Sequence, residues 1–70
     1  MNSPVTPVTL IHNTGILLQL LNRTKEIGFN ELQSKAEMDD MNFYMAIGYL
    51  VKENKVILIP GESGMRINLA

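Results

Sequence analysis

The side chains that usually carry out catalysis are few in this 70-residue chain, and they do not cluster. His12 is the only histidine, cysteine is absent, and Asp39 and Asp40 are adjacent. Side chains one position apart on a helix do not face each other, so the two aspartates make a poor acid-base pair or metal site. Ser63 lies in the segment GESG, which lacks the length and the lysine of a phosphate-binding loop. The sequence therefore predicts a protein that is not an enzyme and that uses no metal or cofactor.

Side chains suited to nucleic-acid binding are also sparse. Direct readout of bases needs Arg, Lys, Asn or Gln on an exposed helix face, and residues 41–51 contain no Arg or Lys. The formal net charge is −1, without the basic excess of a domain that binds mainly phosphates. Four phosphate contacts would give a slope of log affinity against log salt of only about −3 to −4. The candidate nucleic-acid contacts are Lys35, Asn42, Tyr44, Lys52, Lys55 and Arg66.

An apolar stripe on a predicted third helix is a candidate protein contact. Met41, Met45 and Tyr49 stand on or beside the side opposite its expected buried face. Met adapts to irregular partners and Tyr offers a large amphipathic surface, so the stripe suits a protein interface. The alternative is that the C-terminal hairpin folds back over it. Gly48, in mid-helix, costs up to about 1 kcal/mol relative to Ala, which predicts close approach of another helix or of the hairpin backbone.

The N-terminal third predicts an extended arm followed by a helix. Two prolines within residues 1–10 disfavour helix at and before their own positions, so these residues are expected to be extended. Asn13 is expected to cap a first helix over residues 14–22, because its side chain can accept hydrogen bonds from the first turn. Leu18 points away from the other leucines of this helix. It is expected either to be covered by the arm or to contact another chain.

The middle of the chain predicts a short strand and a second helix. Ile27 and Phe29 are β-branched or aromatic and suit a brief strand or an extended link. Asn30 with Gln33 three residues later matches a capping box, which predicts a second helix over residues 31–37.

The C-terminal half predicts a third helix and a hairpin. Asp39 or Asp40 is expected to cap a helix over residues 41–53. The residues expected to be buried on it are Phe43, Ile47 and Leu50, flanked by Ala46 and Val51. Apolar and alternating segments on either side of GESG predict a β-hairpin with its tip there. This order of elements predicts an α+β winged helix-turn-helix, with three helices, a short strand and a C-terminal hairpin as the wing.

Three segments, NTGILLQLLN, FNELQSKAEM and YMAIGYLVKENKV, are similar to a known family pattern over about residues 11–58. The positions that carry the similarity are Asn13, Gly15, Leu32, Ala46, Gly48, Leu50 and Lys55. They resemble a family of small, stand-alone bacterial winged helix-turn-helix proteins of unknown function. Tyr49 and Ile16 depart from its pattern, where a Trp and a polar residue are expected. The resemblance implies the fold and supplies no catalytic or binding residues.

Length and composition indicate one domain, over residues 11–70 beyond the arm. No basic segment precedes an apolar one and no apolar run approaches the roughly 20 residues of a membrane span, so a cytoplasmic protein is expected. We prefer a protein-interaction module that acts through Leu18 or the stripe of Met41, Met45 and Tyr49, and whose partner is a second copy of itself, as a homodimer, or another protein. The alternative is a DNA-binding regulator with weak affinity, which uses the third helix and the wing.

Overall fold

A capping box at Thr6 starts the first helix. In the computed structural model, which describes residues 3–70, helix α1 spans Pro7–Thr24. The Thr9 backbone N–H donates to Thr6 Oγ1 at 3.1 Å, and the Thr6 N–H donates to Thr9 Oγ1 at 2.8 Å. Pro7 suits the first turn, because its missing N–H has no intrahelical partner there. The two prolines therefore precede or begin the helix.

The predicted arm is correspondingly shorter. Residues 7–10 belong to α1, so the prediction of an extended arm over residues 1–10 is wrong for them. Residues 3–6 lie before the helix and in no helix or strand, and Met1 and Asn2 lie outside the described residues. Asn13 lies inside α1 and does not cap it, because Thr6 satisfies the first turn instead.

A short strand and a short helix follow. Strand β1 spans Glu26–Gly28, as expected at Ile27. Phe29, which was expected in the strand or an extended link, instead begins helix α2, Phe29–Ala36. Gly28 is the N-cap and makes no side-chain hydrogen bond, so the predicted capping box of Asn30 and Gln33 is wrong. The Gln33 amide instead donates to the Met38 carbonyl at 3.1 Å and so fastens the turn after α2.

Helix α3 spans Asp40–Lys52 and carries the centre of the core. Asp39 caps it, as predicted, and accepts a hydrogen bond from the Asn42 backbone N–H at 2.9 Å. The expected buried face is confirmed except for Val51, which is exposed. The buried core residues are Leu17, Leu21, Ile27, Leu32, Phe43, Ala46, Ile47, Leu50, Val56 and Ile67. Every helix and strand described so far thus contributes to one core.

The C-terminal hairpin forms the wing. Strands β2, Val56–Gly61, and β3, Gly64–Leu69, pair antiparallel around a tight turn at Glu62 and Ser63. Strand β1 pairs with the other side of β3, which gives the strand order β1-β3-β2. Three helices packed against this sheet confirm the predicted α+β winged helix-turn-helix architecture.

Candidate binding surfaces

The exposed face of α3 is apolar. Met41 is 63% exposed, Met45 52% and Tyr49 40%, so the hairpin does not cover this stripe. The alternative that it belongs to the core is therefore wrong, and its use as a contact with another protein stays a prediction. We call Met41, Met45, Gly48 and Tyr49 the α3 face.

Gly48 leaves open space at the centre of this face. A Cβ atom placed at Gly48 would meet nothing within 4 Å outside its own helix. The close approach expected at this glycine is thus not made by any part of residues 3–70, and the predicted approach of the hairpin backbone is wrong. A glycine in the interior of a helix lowers stability, and it leaves room for another backbone to approach.

Asn42 is buried and is not available to a nucleic acid. It is only 4% exposed, although it was a candidate for base contact. Its amide nitrogen donates to the Ser3 carbonyl at 3.0 Å and its amide oxygen accepts from the Asn13 side chain at 3.0 Å. A buried amide must satisfy its hydrogen bonds inside the fold, and Asn42 does so with Ser3, Asn13 and its own helix cap, Asp39. Its assignment as a base-reading residue is wrong.

Asp39 completes the same network. Its carboxylate accepts hydrogen bonds from the Ser3 backbone N–H at 2.7 Å and from the Asn42 backbone and side chain. The Ser3 hydrogen bond and then the two from Asn42 lower the pKa of Asp39, because they favour its charged form. We call Ser3, Asn13, Asp39 and Asn42 the N-terminal latch, since these residues tie Ser3, ahead of α1, to the start of α3.

The basic candidates are exposed but lie on separate elements. Lys35 is in the last turn of α2, Lys52 ends α3, and Lys55 precedes β2. Arg66 lies on β3 opposite Ile59, away from the base of the wing. Its guanidinium pairs with Glu26 across β1 and β3 at 2.5 Å, and the Lys52 ammonium lies 3.4 Å from Glu53. Two of these positive charges therefore already have a carboxylate partner.

Two further candidates have partners within the chain. The Tyr44 ring stacks on Phe29, with ring centroids 5.9 Å apart and planes 13° apart, and the side chain is half exposed. Leu18 is half buried and packs against the core. Both stay candidates, Tyr44 for nucleic acid and Leu18 for protein, with less free surface than the α3 face.

Sequence reasoning missed the exposed apolar surface of the wing. Ile57 is 49% exposed, and Leu58, Ile59 and Met65 are also exposed. The signal was present, because consecutive residues of a strand point to opposite faces and only one face of a hairpin can rest on the core. An uninterrupted apolar run such as VILI therefore has to leave apolar side chains outside.

A cleft of about 420 Å³ adjoins the N-terminal latch. His12 lies at its edge and is exposed, and the polar groups of Asp39 and Asn42 that line it bond to each other and to Ser3. Among residues 3–70 no group of His, Asp and Glu side chains is placed to hold a metal ion. No helix in this part of the chain is long and apolar enough to cross a membrane.

Comparison with known proteins agrees with this architecture. The family model described as winged helix-turn-helix domain (DUF2582) matches residues 11–68. The chain is also similar to protein BT2368 from Bacteroides thetaiotaomicron, with 26% identity over 87% of this chain and 74% of that one. The TM-score to the solution NMR structure of that protein is 0.76. None of the curated proteins matches this chain. The resemblance to a small bacterial winged helix-turn-helix family of unknown function is thus confirmed.

Proposed function

We propose, from the premise that this chain belongs to the winged helix-turn-helix domain family DUF2582, that it is a non-enzymatic cytoplasmic binding module which self-associates through the α3 face. The family supports a binding role, and fold alone does not choose between protein and DNA as the partner. The choice rests on the chemistry of the surface that α3 presents.

The observation that carries the proposal is the exposed, uncharged character of the α3 face. Met41, Met45 and Tyr49 expose between 40% and 63% of their surface, and Gly48 stands open among them. Apolar side chains gathered on one exposed helix face, with Met and Tyr among them, are typical of a protein interface. No contact within residues 3–70 explains a glycine at position 48. Close approach of a helix from a partner would explain it, because a residue without a side chain leaves room for another backbone.

The first test places a charge in the α3 face. Met45→Glu buries a carboxylate at the interface, so the dissociation constant of the self-associated form is expected to rise by about tenfold or more. Sedimentation equilibrium of the full chain measures it. Ile11→Glu is the matched control, because Ile11 is an exposed apolar residue on α1 and lies outside the α3 face. Equal association of the Met45→Glu variant and the native chain would contradict the proposal.

A second test uses the open space at Gly48. Ala is a better helix former by about 1 kcal/mol, and a Cβ at Gly48 meets nothing within 4 Å, so Gly48→Ala should stabilise the isolated chain. The same methyl group should weaken association if a partner helix crosses there. Urea denaturation at low concentration and sedimentation at high concentration measure the two effects. A variant that is more stable and associates as well as the native chain would remove Gly48 from the interface.

DNA binding is the second candidate function. The winged helix-turn-helix fold and the exposed Lys52 and Lys55 beside the wing favour it. A backbone amide NMR titration with generic duplex DNA, at low and at physiological salt, tests it directly. Salt-sensitive shifts confined to α3 and the hairpin, lost in Lys52→Glu with Lys55→Glu, would establish this function. Unchanged spectra would leave the α3 face to protein partners.

A further inference from the structure

The exposed side of α3 has the spacing of a coiled-coil seam. Met41, Met45, Gly48 and Lys52 are all exposed and follow one another at intervals of four, three and four residues. These are the intervals of the a and d positions of a coiled coil, which keep one stripe of a helix turned toward a partner helix. The buried residues of α3 lie between these positions and face the core. We call Met41, Met45, Gly48 and Lys52 the α3 seam, and a partner helix can contact it without disturbing the core.

The α3 seam is complementary in shape to a reversed copy of itself. When two α3 helices run antiparallel around a two-fold axis between Met45 and Gly48, Met45 of each copy lies opposite Gly48 of the other. Met45 is long, flexible and 52% exposed, and a Cβ at Gly48 would meet nothing within 4 Å. Each methionine therefore fills the space that the opposite glycine leaves open. Parallel helices would instead place glycine opposite glycine, which leaves a gap in the packing.

The charges at the two ends of α3 also favour an antiparallel copy. Residues 37–40, at its start, contain three carboxylates and no basic residue. Residues 52–55, at its end, contain two lysines and one glutamate, so this end is net positive. Antiparallel helices bring the acidic end of one copy to the basic end of the other, twice in each pair. Parallel helices would bring the two acidic ends together, which is unfavourable.

We propose that α3 packs antiparallel against α3 of a second copy of this chain, with Met45 of each copy seated on Gly48 of the other. In this register Met41 lies opposite Lys52, whose aliphatic stem covers the methionine while its ammonium stays in water. The inference rests on the proposed function, since it needs self-association through α3. It goes further by fixing the orientation of the two helices and the residues that meet.

Introduced cysteines can report the orientation, because the native chain contains none. Met41→Cys and Lys52→Cys change exposed side chains, so both variants should fold. In the antiparallel register the two positions lie opposite each other, within reach of a disulfide. The two copies of Met41 are then separated by roughly 16 Å along the helices, at about 1.5 Å per residue. A disulfide requires Cα atoms within about 7 Å, so only a mixed disulfide between the two variants fits.

The measurement is the intact mass of the disulfide-linked dimers that form when the two variants are mixed in equal amounts in a glutathione buffer. Random pairing would make about half of these dimers mixed, because thiol exchange brings the pairs to equilibrium. The antiparallel register should raise mixed dimers to about tenfold over like-with-like dimers, because it places the two thiols at a high effective concentration. Ile11→Cys in place of Met41→Cys is the matched control and should give the random fraction, since Ile11 is exposed on α1. A random fraction, or an excess of like-with-like dimers, with Met41→Cys overturns the proposal.

An exchange of the two central residues tests the register without disulfides. Gly48→Met alone places methionine opposite Met45 and should raise the dissociation constant by about tenfold or more. Combining it with Met45→Ala restores a large side chain opposite a small one, so the double variant should associate within about threefold of the native chain. Sedimentation equilibrium measures each variant, and circular dichroism shows that each is folded. A double variant that associates no better than Gly48→Met alone overturns the proposal.

The same experiments separate failure of this inference from failure of the proposed function. If Met45→Glu disrupts association but the cysteine variants form like-with-like disulfides, the antiparallel register fails and self-association through the α3 face stands. If the native chain stays monomeric, or Met45→Glu associates as well as the native chain, the proposed function fails and this inference fails with it. Excess mixed disulfide together with recovery in the double variant supports both.

Discussion

The N-terminal latch and the wing differ in whether their polar groups are hydrogen-bonded within the chain. At the latch, Asn42 is 4% exposed and its amide bonds to Ser3, Asn13 and Asp39, so a side chain that was a candidate for nucleic-acid contact holds the fold together instead. At the wing, the outer edge of β2 beyond the buried Val56 leaves backbone N–H and carbonyl groups free, and apolar side chains stand exposed on both faces.

This difference shows where a partner gains most. Polar groups that already bond to one another have little to offer a ligand, because any new contact must replace an existing hydrogen bond. Exposed apolar side chains and free backbone groups gain from any surface that covers them. The α3 face and the wing are therefore better placed than the latch to bind another protein.

The largest expected effect is the loss of stability when the N-terminal latch is disrupted. Asn42→Ala leaves the Ser3 carbonyl and the Asn13 amide without a partner, so the free energy of unfolding should fall by about 2 kcal/mol. Urea denaturation monitored by circular dichroism measures the change. Asn30→Ala is the matched control, because Asn30 is exposed and makes no cap hydrogen bond, and it should change stability by less than about 0.5 kcal/mol. Equal stabilities of the two variants would show that the latch contributes no more than a surface amide.

The same residues show how far the sequence predicts the structure. Periodicity and turn chemistry placed α3, the hairpin and most of the core, because these depend on patterns that are local in the chain. The burial of Asn42 could not be predicted, since its hydrogen bonds with Ser3 and Asn13 join residues far apart in the sequence. A polar residue beside the buried face of a helix gives the same sequence pattern whether it faces water or a distant segment of its own chain.

The predicted starts of α1 and α2 were wrong for a related reason. Asn13 and Asn30 have the right chemistry for N-caps, yet α1 begins after Thr6 and α2 begins after Gly28. Several residues near each start could serve, and tertiary packing selects among them. The free edge of β2 was missed because strand order decides it, and strand order requires knowing that β1 pairs with β3.

A smaller effect is expected from acid. Folding lowers the pKa of Asp39 below its ordinary value. The hydrogen bonds to its carboxylate therefore stabilise the protein fully at pH values above the ordinary pKa. This stabilisation is lost as the pH falls through the pKa of the folded state. Urea midpoints at pH 6 and at successively lower pH measure this loss. Asp39→Asn is the matched variant, because Asn also caps helices but does not titrate. It should flatten the acid dependence, and an unchanged dependence would assign the loss to other carboxylates.

The smallest expected effect on stability comes from breaking the ion pair between Arg66 on β3 and Glu26 on β1. Both side chains are about half exposed, with 44% and 50% of their surface accessible, so Glu26→Gln should cost less than about 0.5 kcal/mol of stability. The variant frees Arg66 and removes one negative charge near the wing. If the wing binds protein, its affinity for generic duplex DNA should stay negligible at physiological salt. If the wing binds DNA, affinity should rise and the salt slope should steepen by about one phosphate contact. An electrophoretic or fluorescence titration at two salt concentrations, beside the native chain, therefore separates the two functions with a substitution that hardly affects the fold.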